Sequence, residues 1–342
     1  MTGAARWVAR YGVGIALAAL VLIGALAVPG FFTRDNLTIV LLHVSINAIL
    51  ALGMTFVIVT AGIDLSVGSV LALAGVLTAA TLTSGPVLDA VGVGGATLAA
   101  IAVGIGLGTV AGIMNGAITA WLGVAPFMVT LAAMTMARGL ARLFTGGVPI
   151  GFPARDDPRF EAKVAALDAL HVLGGGRIPV PGLPRGFPVP ALVMLVLALV
   201  AAFVLTRTRF GRYVYAVGGN EEAARLAGVP VRVVKLAVYA IAGACAGLAG
   251  VLLVGQLRSG GPDAGMLYEL NAIAAAVIGG ASLFGGIGTA AGALVGALLI
   301  GVLNNALDLL GVQSFWQEIV KGAIILLAVL FDVWTKRSTH RA

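Results

Sequence analysis

The residues with the clearest chemical potential are polar side chains set between or inside long apolar stretches. Asp64 stands in a glycine-containing break, residues 60–69, between two apolar segments, and Ser66 follows it closely. A carboxylate between segments of hydrocarbon length is costly unless it caps a helix, reaches water or performs a task. Two interpretations stay open: Asp64 caps a helix that starts near Leu65, or it stabilises a gate or a re-entrant turn.

Three asparagines, Asn115, Asn304 and Asn305, lie within other apolar stretches. Amide side chains suit hydrogen bonds between membrane helices. They also suit the passage of a hydroxylated solute, and both roles stay open. Together with Asp64 and Ser66 they are the predicted residues of a translocation pathway or gate.

Patterns typical of catalysis and metal binding are missing from the sequence. The three histidines (His43, His171 and His340) have no metal-ligand spacing, and no serine–histidine arrangement stands out. The phosphate-binding pattern G-x-x-x-x-G-K-[ST] is also absent. We therefore expect no enzyme activity, no metal and no cofactor bound by this chain. The single cysteine, Cys245, excludes an intrachain disulfide.

The composition places these polar residues in a protein whose solvent is lipid. Hydrophobic residues make up 60% of the 342 residues and charged residues 10%, against about 25% charged residues in a soluble domain. The net charge is +7, but the basic residues are scattered along the chain and no aromatic residues are interleaved with them. The charge therefore indicates membrane orientation and lipid contact rather than nucleic-acid binding.

A spanning helix needs about 20 mainly apolar residues. The sequence predicts about ten such helices, so the fold class is an all-α polytopic membrane protein, with residues 1–342 as one transmembrane domain. The predicted spans are 11–28, 38–60, 66–83, 96–121, 124–144, 189–206, 236–257, 270–284, 288–311 and 317–334.

Two long polar connections set the predicted orientation. Residues 146–188 are rich in proline and glycine, whereas residues 207–235 are rich in arginine. Basic loops favour the cytoplasmic side. We therefore expect 207–235 and both termini in the cytoplasm, and 146–188 as a periplasmic loop.

The 146–188 loop contains one predicted helix. Asp157 is placed to cap it, and Phe160, Val164, Leu167 and Leu170 would line one face. The helix could lie on the membrane surface or form a docking surface for a soluble partner.

Short internal similarities predict inverted repeats. Gly112-Ile-Met-Asn115 resembles Gly301-Val-Leu-Asn304, and Gly62-Ile-Asp64 resembles Gly261-Pro-Asp263. The paired motifs lie five predicted helices apart, and an odd offset reverses the direction of a helix. Inverted repeats are a common plan of transporters, with sites near the repeat interface.

Glycines at every fourth position form one face of the fourth predicted span. They are Gly104, Gly108, Gly112 and Gly116. Small residues at this spacing let another helix approach closely. Helix packing is therefore the predicted role, with lining of a pathway as the alternative.

A compact helix is also predicted inside the 207–235 connection. Asn220 is placed to cap it, Glu221 and Glu222 suit its positive N-terminus, and Gly228 ends it. A surface turn and a helix that a soluble partner grips are both compatible with this pattern.

Four segments, taken together and in this order, resemble the permeases of ribose-type ABC sugar importers. They are AGIDLSVGSVLALAG (61–75), GRYVYAVGGNEEAARLAGVPV (211–231), YELNAIAAAVIGGASLFGGIGT (268–289) and GVLNNALDLLGVQSFWQEIVKGAIILLAVLFD (301–332). The resemblance extends from about Asn36 to Asp332 and implies a type II importer fold. It implies two permease subunits, separate cytoplasmic ATPases that use the ATP, and a periplasmic binding protein that delivers a neutral monosaccharide.

The resemblance also implies that the helix at 219–228 is the coupling helix that contacts the ATPase. The residues it assigns to coupling are Gly218, Asn220, Glu221, Glu222, Ala224, Arg225 and Gly228. The implied location is the bacterial inner membrane, with a second permease subunit expected to be an identical copy. The alternatives are an ion-coupled secondary transporter, for which only Asp64 offers an embedded acid, and an intramembrane enzyme.

Overall fold

A computed structural model describes residues 3–151 and 153–339 of the chain. The described residues form helices and one small antiparallel sheet, β1–β2. The elements are α1 (Gly3–Ala27), α2 (Arg34–Val59), α3 (Val67–Leu82), α4 (Gly85–Trp121), α5 (Pro126–Thr145), α6 (Phe160–Gly174), β1 (Arg177–Val180), β2 (Leu183–Pro188), α7 (Val189–Arg207), α8 (Arg209–Gly219), α9 (Glu221–Leu226), α10 (Val231–Leu257), α11 (Tyr268–Ile278), α12 (Ala290–Leu309) and α13 (Ser314–Thr339).

Every predicted span overlaps a helix, but not every helix has the length of a span. Among the described residues, six helices are long and apolar enough to cross a membrane: α2, α4, α5, α7, α10 and α12. Helix α11 has only 11 residues; at about 1.5 Å per residue it covers about half of a hydrocarbon core about 30 Å thick. The fold is that of a mostly helical, multi-pass membrane protein, while the count of ten spans stays a prediction.

The predicted span 270–284 differs most from the structure. Helix α11 ends at Ile278, and residues 279–289 are not helical. Gly280, Gly285 and Gly286 have positive φ in this segment. Such backbone conformations are open to glycine and costly for other residues, so the apolar run continues as an irregular turn rather than as a helix.

Helices α2 and α10 lie at the centre of the protein. Helix α10 packs against α2, α3, α4 and α6. The glycine face of α4, from Gly104 to Gly116, meets α10 in a close crossing. A Cβ atom added to Gly108 would lie 2.7 Å from the backbone nitrogen of Gly247, and closer still to the carbonyl oxygen of Gly243. The backbones of α4 and α10 are therefore in direct contact.

The 146–188 segment folds as helix α6 followed by the hairpin β1–β2, which was not predicted from the sequence. Helix α6 begins at Phe160, and Asp157 accepts a hydrogen bond from the Arg159 amide at 2.8 Å and pairs with Lys163. The hydrogen bond from Lys163 holds the pKa of Asp157 below its usual value of 3.8.

The predicted apolar face of α6 is only partly buried. Leu167 and Leu170 are buried in a cluster with Ala96 of α4 and Val251 of α10. By contrast, Phe160 and Val164 are half-buried. Helix α6 therefore lies over the α4–α10 pair.

Candidate functional site

Asp64 and Ser66 lie in a buried turn between α2 and α3, which we call the polar turn, and Asn115 of α4 packs against it. Asp64 is 1% exposed, and its Oδ1 accepts hydrogen bonds from the Ser66 amide at 2.8 Å and from the Ser66 hydroxyl at 2.6 Å. The Asn115 side chain donates to the Ser66 hydroxyl oxygen at 2.9 Å. Each of the three predicted residues thus satisfies a partner that would otherwise be buried without a hydrogen bond.

The polar turn also contacts α5 and α10. The hydroxyl groups of Thr130 on α5 and Tyr239 on α10 both point at the carbonyl oxygen of Ile63, each at 3.4 Å. Ala61, at the start of the turn, has a positive φ of 59°, a strained conformation for a residue other than glycine. Sequence reasoning missed Tyr239, because only the fold brings α10 to this turn.

Asn304 and Asn305 lie away from the polar turn. The side chain of Asn305 exchanges two hydrogen bonds with that of Asn36, both at 2.8 Å. Asn36 is at the start of α2, and the polar turn follows Val59 at the end of α2. At about 1.5 Å per residue, Asn36 and Val59 are about 34 Å apart along the helix axis. The structure therefore separates the predicted pathway residues into two groups.

The side chain of Asn304 lacks a hydrogen-bond partner at its oxygen. That oxygen is buried, and no partner lies within the described residues.

Glu269 is a second buried acid that the sequence analysis did not single out. It lies in the first turn of α11, is 9% exposed, and its Oε2 has no hydrogen-bond partner among the described residues. Arg138 of α5 interacts electrostatically with Glu269. The Arg138 guanidinium also donates hydrogen bonds to the carbonyl oxygens of Pro262 at 2.7 Å and Ala264 at 2.8 Å. A glutamate directly before the predicted span 270–284 was the available signal.

Helix α9 occupies the position of the predicted coupling helix. The Asn220 side chain accepts a hydrogen bond from the Ala223 amide at 2.9 Å, as an N-cap does. Glu221 pairs with Arg225 at 3.0 Å and with Lys235 of α10 at 2.7 Å. The pair with Lys235 holds the first turn of α9 against α10, while the pair with Arg225 lies within α9.

The other predicted coupling residues differ in their surroundings. Ala224 is buried, whereas Glu222 and Arg225 are exposed. Gly228 has a φ of 81°, as expected where a helix ends. Gly218 lies in α8, one helix earlier in the chain.

An open cleft lies beside α9. It has a volume of about 800 Å³ and is bounded by α9, the first turn of α10 and the turn 122–125 between α4 and α5. Leu226 at the end of α9 is 84% exposed, and Leu122 in the cleft wall is 73% exposed. Uncovered apolar side chains beside charged ones suit a protein partner. The described residues contain no group of His, Cys, Asp and Glu side chains arranged to hold a metal ion.

Comparison with known proteins identifies the family. Residues 36–329 match the family model described as "Branched-chain amino acid transport system / permease component". The ribose import permease protein RbsC of Escherichia coli K12 is 44% identical over 318 residues, which cover 93% of this chain and 92% of the relative. RbsC of Bacillus subtilis strain 168 is 43% identical, with coverage of 94% and 92%.

The xylose transport system permease protein XylH of E. coli K12 is 39% identical, with coverage of 90% and 87%. No solved structure matched the chain. The family model and these relatives cover nearly the whole chain, including the polar turn and α9. The chain therefore belongs to the family of transport-system permease components that this model describes.

Proposed function

We propose that this chain is the membrane-spanning subunit of an ATP-binding cassette importer and forms the pathway for a neutral monosaccharide. The observation that carries the proposal is the 44% identity to a ribose import permease over 93% of the chain. The family description names branched-chain amino acids, but an individual relative at this identity is the more specific guide to the cargo.

The polar groups described above also favour a neutral cargo. Asn115 donates to the Ser66 hydroxyl oxygen and Asn305 bonds to Asn36, and none of these four side chains carries a charge. An amino acid zwitterion would need a charged partner for each of its ends, and these four side chains supply none. A polyhydroxyl solute needs only donors and acceptors.

Three kinds of protein partner follow from this function. The chain lacks the phosphate-binding pattern, so separate ATPase subunits would use the ATP and dock at α9. A periplasmic binding protein would deliver the sugar to the side that carries 146–188. A second permease subunit, taken here to be an identical copy, would complete the pathway of a type II importer.

The two breaks in the helical chain support the proposed inverted repeats. The break 60–66 contains Ala61 with positive φ, and the segment 258–267 contains Arg258 and Leu267 with positive φ. Each break precedes a short helix, α3 or α11. Discontinuous helices at corresponding positions of two halves are typical of transporters with such repeats.

Reconstitution in proteoliposomes tests the function. With the cognate ATPase and binding protein, uptake of D-ribose, D-xylose or another neutral sugar should require ATP and survive ionophores that collapse proton and sodium gradients. The two buried acids, Asp64 and Glu269, are the groups an ion-coupled transporter would use. Uptake that proceeds on a gradient without ATP, or that stops with the ionophore while ATP remains, would replace the importer by a secondary transporter.

A further inference from the structure

Helix α8, which the sequence analysis did not predict, connects the proposed coupling helix α9 to the predicted membrane-spanning helices. The ring of Phe210 in α8 stacks on that of Phe56 in α2, with centroids 6.5 Å apart. The hydroxyl of Tyr215 donates to the carbonyl oxygen of Gly288 at 2.6 Å. Helix α8 is therefore fixed both to α2 and to the irregular turn 279–289.

Three chain segments meet backbone to backbone where α8 ends. The Gly286 amide donates to the Val59 carbonyl oxygen at 2.8 Å. A Cβ atom on Gly218 would lie 2.6 Å from the Gly286 nitrogen, and closer still to the Val59 oxygen. A Cβ atom on Gly285 would lie 2.6 Å from the Gly218 oxygen and 2.9 Å from the Cβ of Ala61. These segments pack with their backbones in close contact, and we call the contact the glycine junction.

The glycine junction has the candidate functional groups on both sides of it. Asn220, the N-cap of α9, is two residues beyond Gly218. In the other direction, Val59 is the last residue of α2, and the turn that holds Asp64 follows it. Close-packed elements transmit displacement because they have no free volume to absorb it. A movement of α9 would therefore reach the polar turn through this contact.

We propose that the glycine junction transmits movement of the coupling helix α9 to the Asp64 turn, and that Gly218 is a positioning residue for transport. The inference rests on the proposed function, since it concerns the step that links ATP hydrolysis to sugar passage. It adds α8, Val59 and the Gly285–Gly286 turn to the residues that take part in that step.

Gly218 and its neighbour Gly219 provide a matched pair of variants. Both lie at the end of α8, and Gly218→Ala and Gly219→Ala add the same methyl group, but a Cβ atom on Gly219 meets nothing within 4 Å. The complete importer, with its own ATPase and binding protein, is reconstituted in vesicles with D-ribose as the probe. Sugar uptake and ATP hydrolysis are measured in the same vesicles.

Gly218→Ala should lower the sugar imported per ATP hydrolysed by about fivefold or more, the lower end of typical coupling between sites. Gly219→Ala should leave this ratio unchanged. Tyr215→Phe, which removes only the hydrogen bond to Gly288, should also lower the ratio while the complex assembles normally. If Gly218→Ala fails to assemble, Tyr215→Phe decides the question.

Equal ratios in Gly218→Ala and Gly219→Ala would overturn the proposal, as would a parallel fall of uptake and hydrolysis in a well-assembled Gly218→Ala complex. An unchanged ratio in Tyr215→Phe would overturn it where that variant decides. A wild-type complex without ATP-dependent sugar uptake would instead defeat the proposed function itself, so the two failures are distinguishable.

Discussion

At the residue scale, the Ser66 hydroxyl is the centre of the polar turn, because it donates to Asp64 and accepts from Asn115. Ser66→Ala would remove the acceptor of the Asn115 amide and one of the two hydrogen bonds that Asp64 Oδ1 accepts. A buried polar group left unsatisfied costs about 1–3 kcal/mol. We expect a clear drop in the thermal unfolding midpoint of the detergent-solubilised protein.

Ser45→Ala is the control for Ser66→Ala. Ser45 is fully buried, and its hydroxyl bonds to the Leu41 carbonyl one turn earlier in the same helix. Loss of such a local bond leaves little unsatisfied, because that carbonyl belongs to the hydrogen-bond ladder of α2. Equal midpoints for the two variants would show that the turn does not depend on the Ser66 hydroxyl.

Asp157 gives the segment 146–188 a defined response to acid. Its pKa is held below 3.8 mainly by the hydrogen bond from Lys163. A carboxylate with a lowered folded-state pKa contributes stability above its usual pKa and loses that contribution as the pH falls through the folded value. The protection of the amides at the start of α6 against hydrogen exchange, measured relative to the intrinsic exchange rate at each pH, should therefore hold from pH 7 to about 5 and fall only in stronger acid. Asp157→Asn should remove this acid-dependent step; its persistence would assign the step to another group.

Sequence reasoning identified Asp64, Ser66 and Asn115 because polar residues are conspicuous in apolar segments. It did not predict that Ser66 would join the other two, or that Tyr239 would lie beside them. Both facts depend on contacts between helices that are distant in the chain. Glu269 was missed for a different reason: it fell within a segment considered for its resemblance rather than for its charge.

At the element scale, the crossing of α4 and α10 depends on glycine at particular positions rather than on glycine in general. Gly108→Leu should destabilise the protein by roughly 1–3 kcal/mol, because overpacking forces the backbones apart. Gly106→Leu is the control, since a Cβ atom at this position meets nothing within 4 Å. Leucine also has a higher helix propensity than glycine. Thermal stability in detergent should fall for the first variant and hold or rise for the second. Similar losses in both would mean that the crossing is not tight.

The helices themselves were largely predictable, because runs of apolar residues specify them directly. Helix α8 was not predicted, since its sequence from Arg209 to Gly219 carries arginines and reads as a polar loop. The early end of α11 depends on backbone angles at Gly280, Gly285 and Gly286, and composition alone treats glycine as merely small. Apolar periodicity therefore did not reveal α8, which lies outside the predicted spans, or the irregular turn that follows α11.

At the scale of the whole molecule, the sidedness of the two long connections depends on one helix. Helix α7, from Val189 to Arg207, is the only helix between residues 188 and 208 and is long and apolar enough to cross a membrane. If it crosses once, the segments 146–188 and 207–235 lie on opposite sides, whatever the total number of spans. The arginines of 207–235 then favour the cytoplasm for that segment.

Single cysteines test this orientation, because the chain has only one native cysteine, Cys245. In a Cys245→Ala background, Asp156→Cys and Glu222→Cys each place a thiol at an exposed position, one in each connection. A membrane-impermeant maleimide added to intact spheroplasts should label the first, and should label the second only after permeabilisation. The Cys245→Ala chain without an added cysteine should stay unlabelled throughout.

Labelling of both positions before permeabilisation would mean that α7 does not cross the membrane. The reverse pattern would keep α7 as a span and invert the molecule, so that α9 and its cleft would face away from any ATPase. The proposed coupling by α9 therefore requires that Glu222→Cys be shielded in intact spheroplasts.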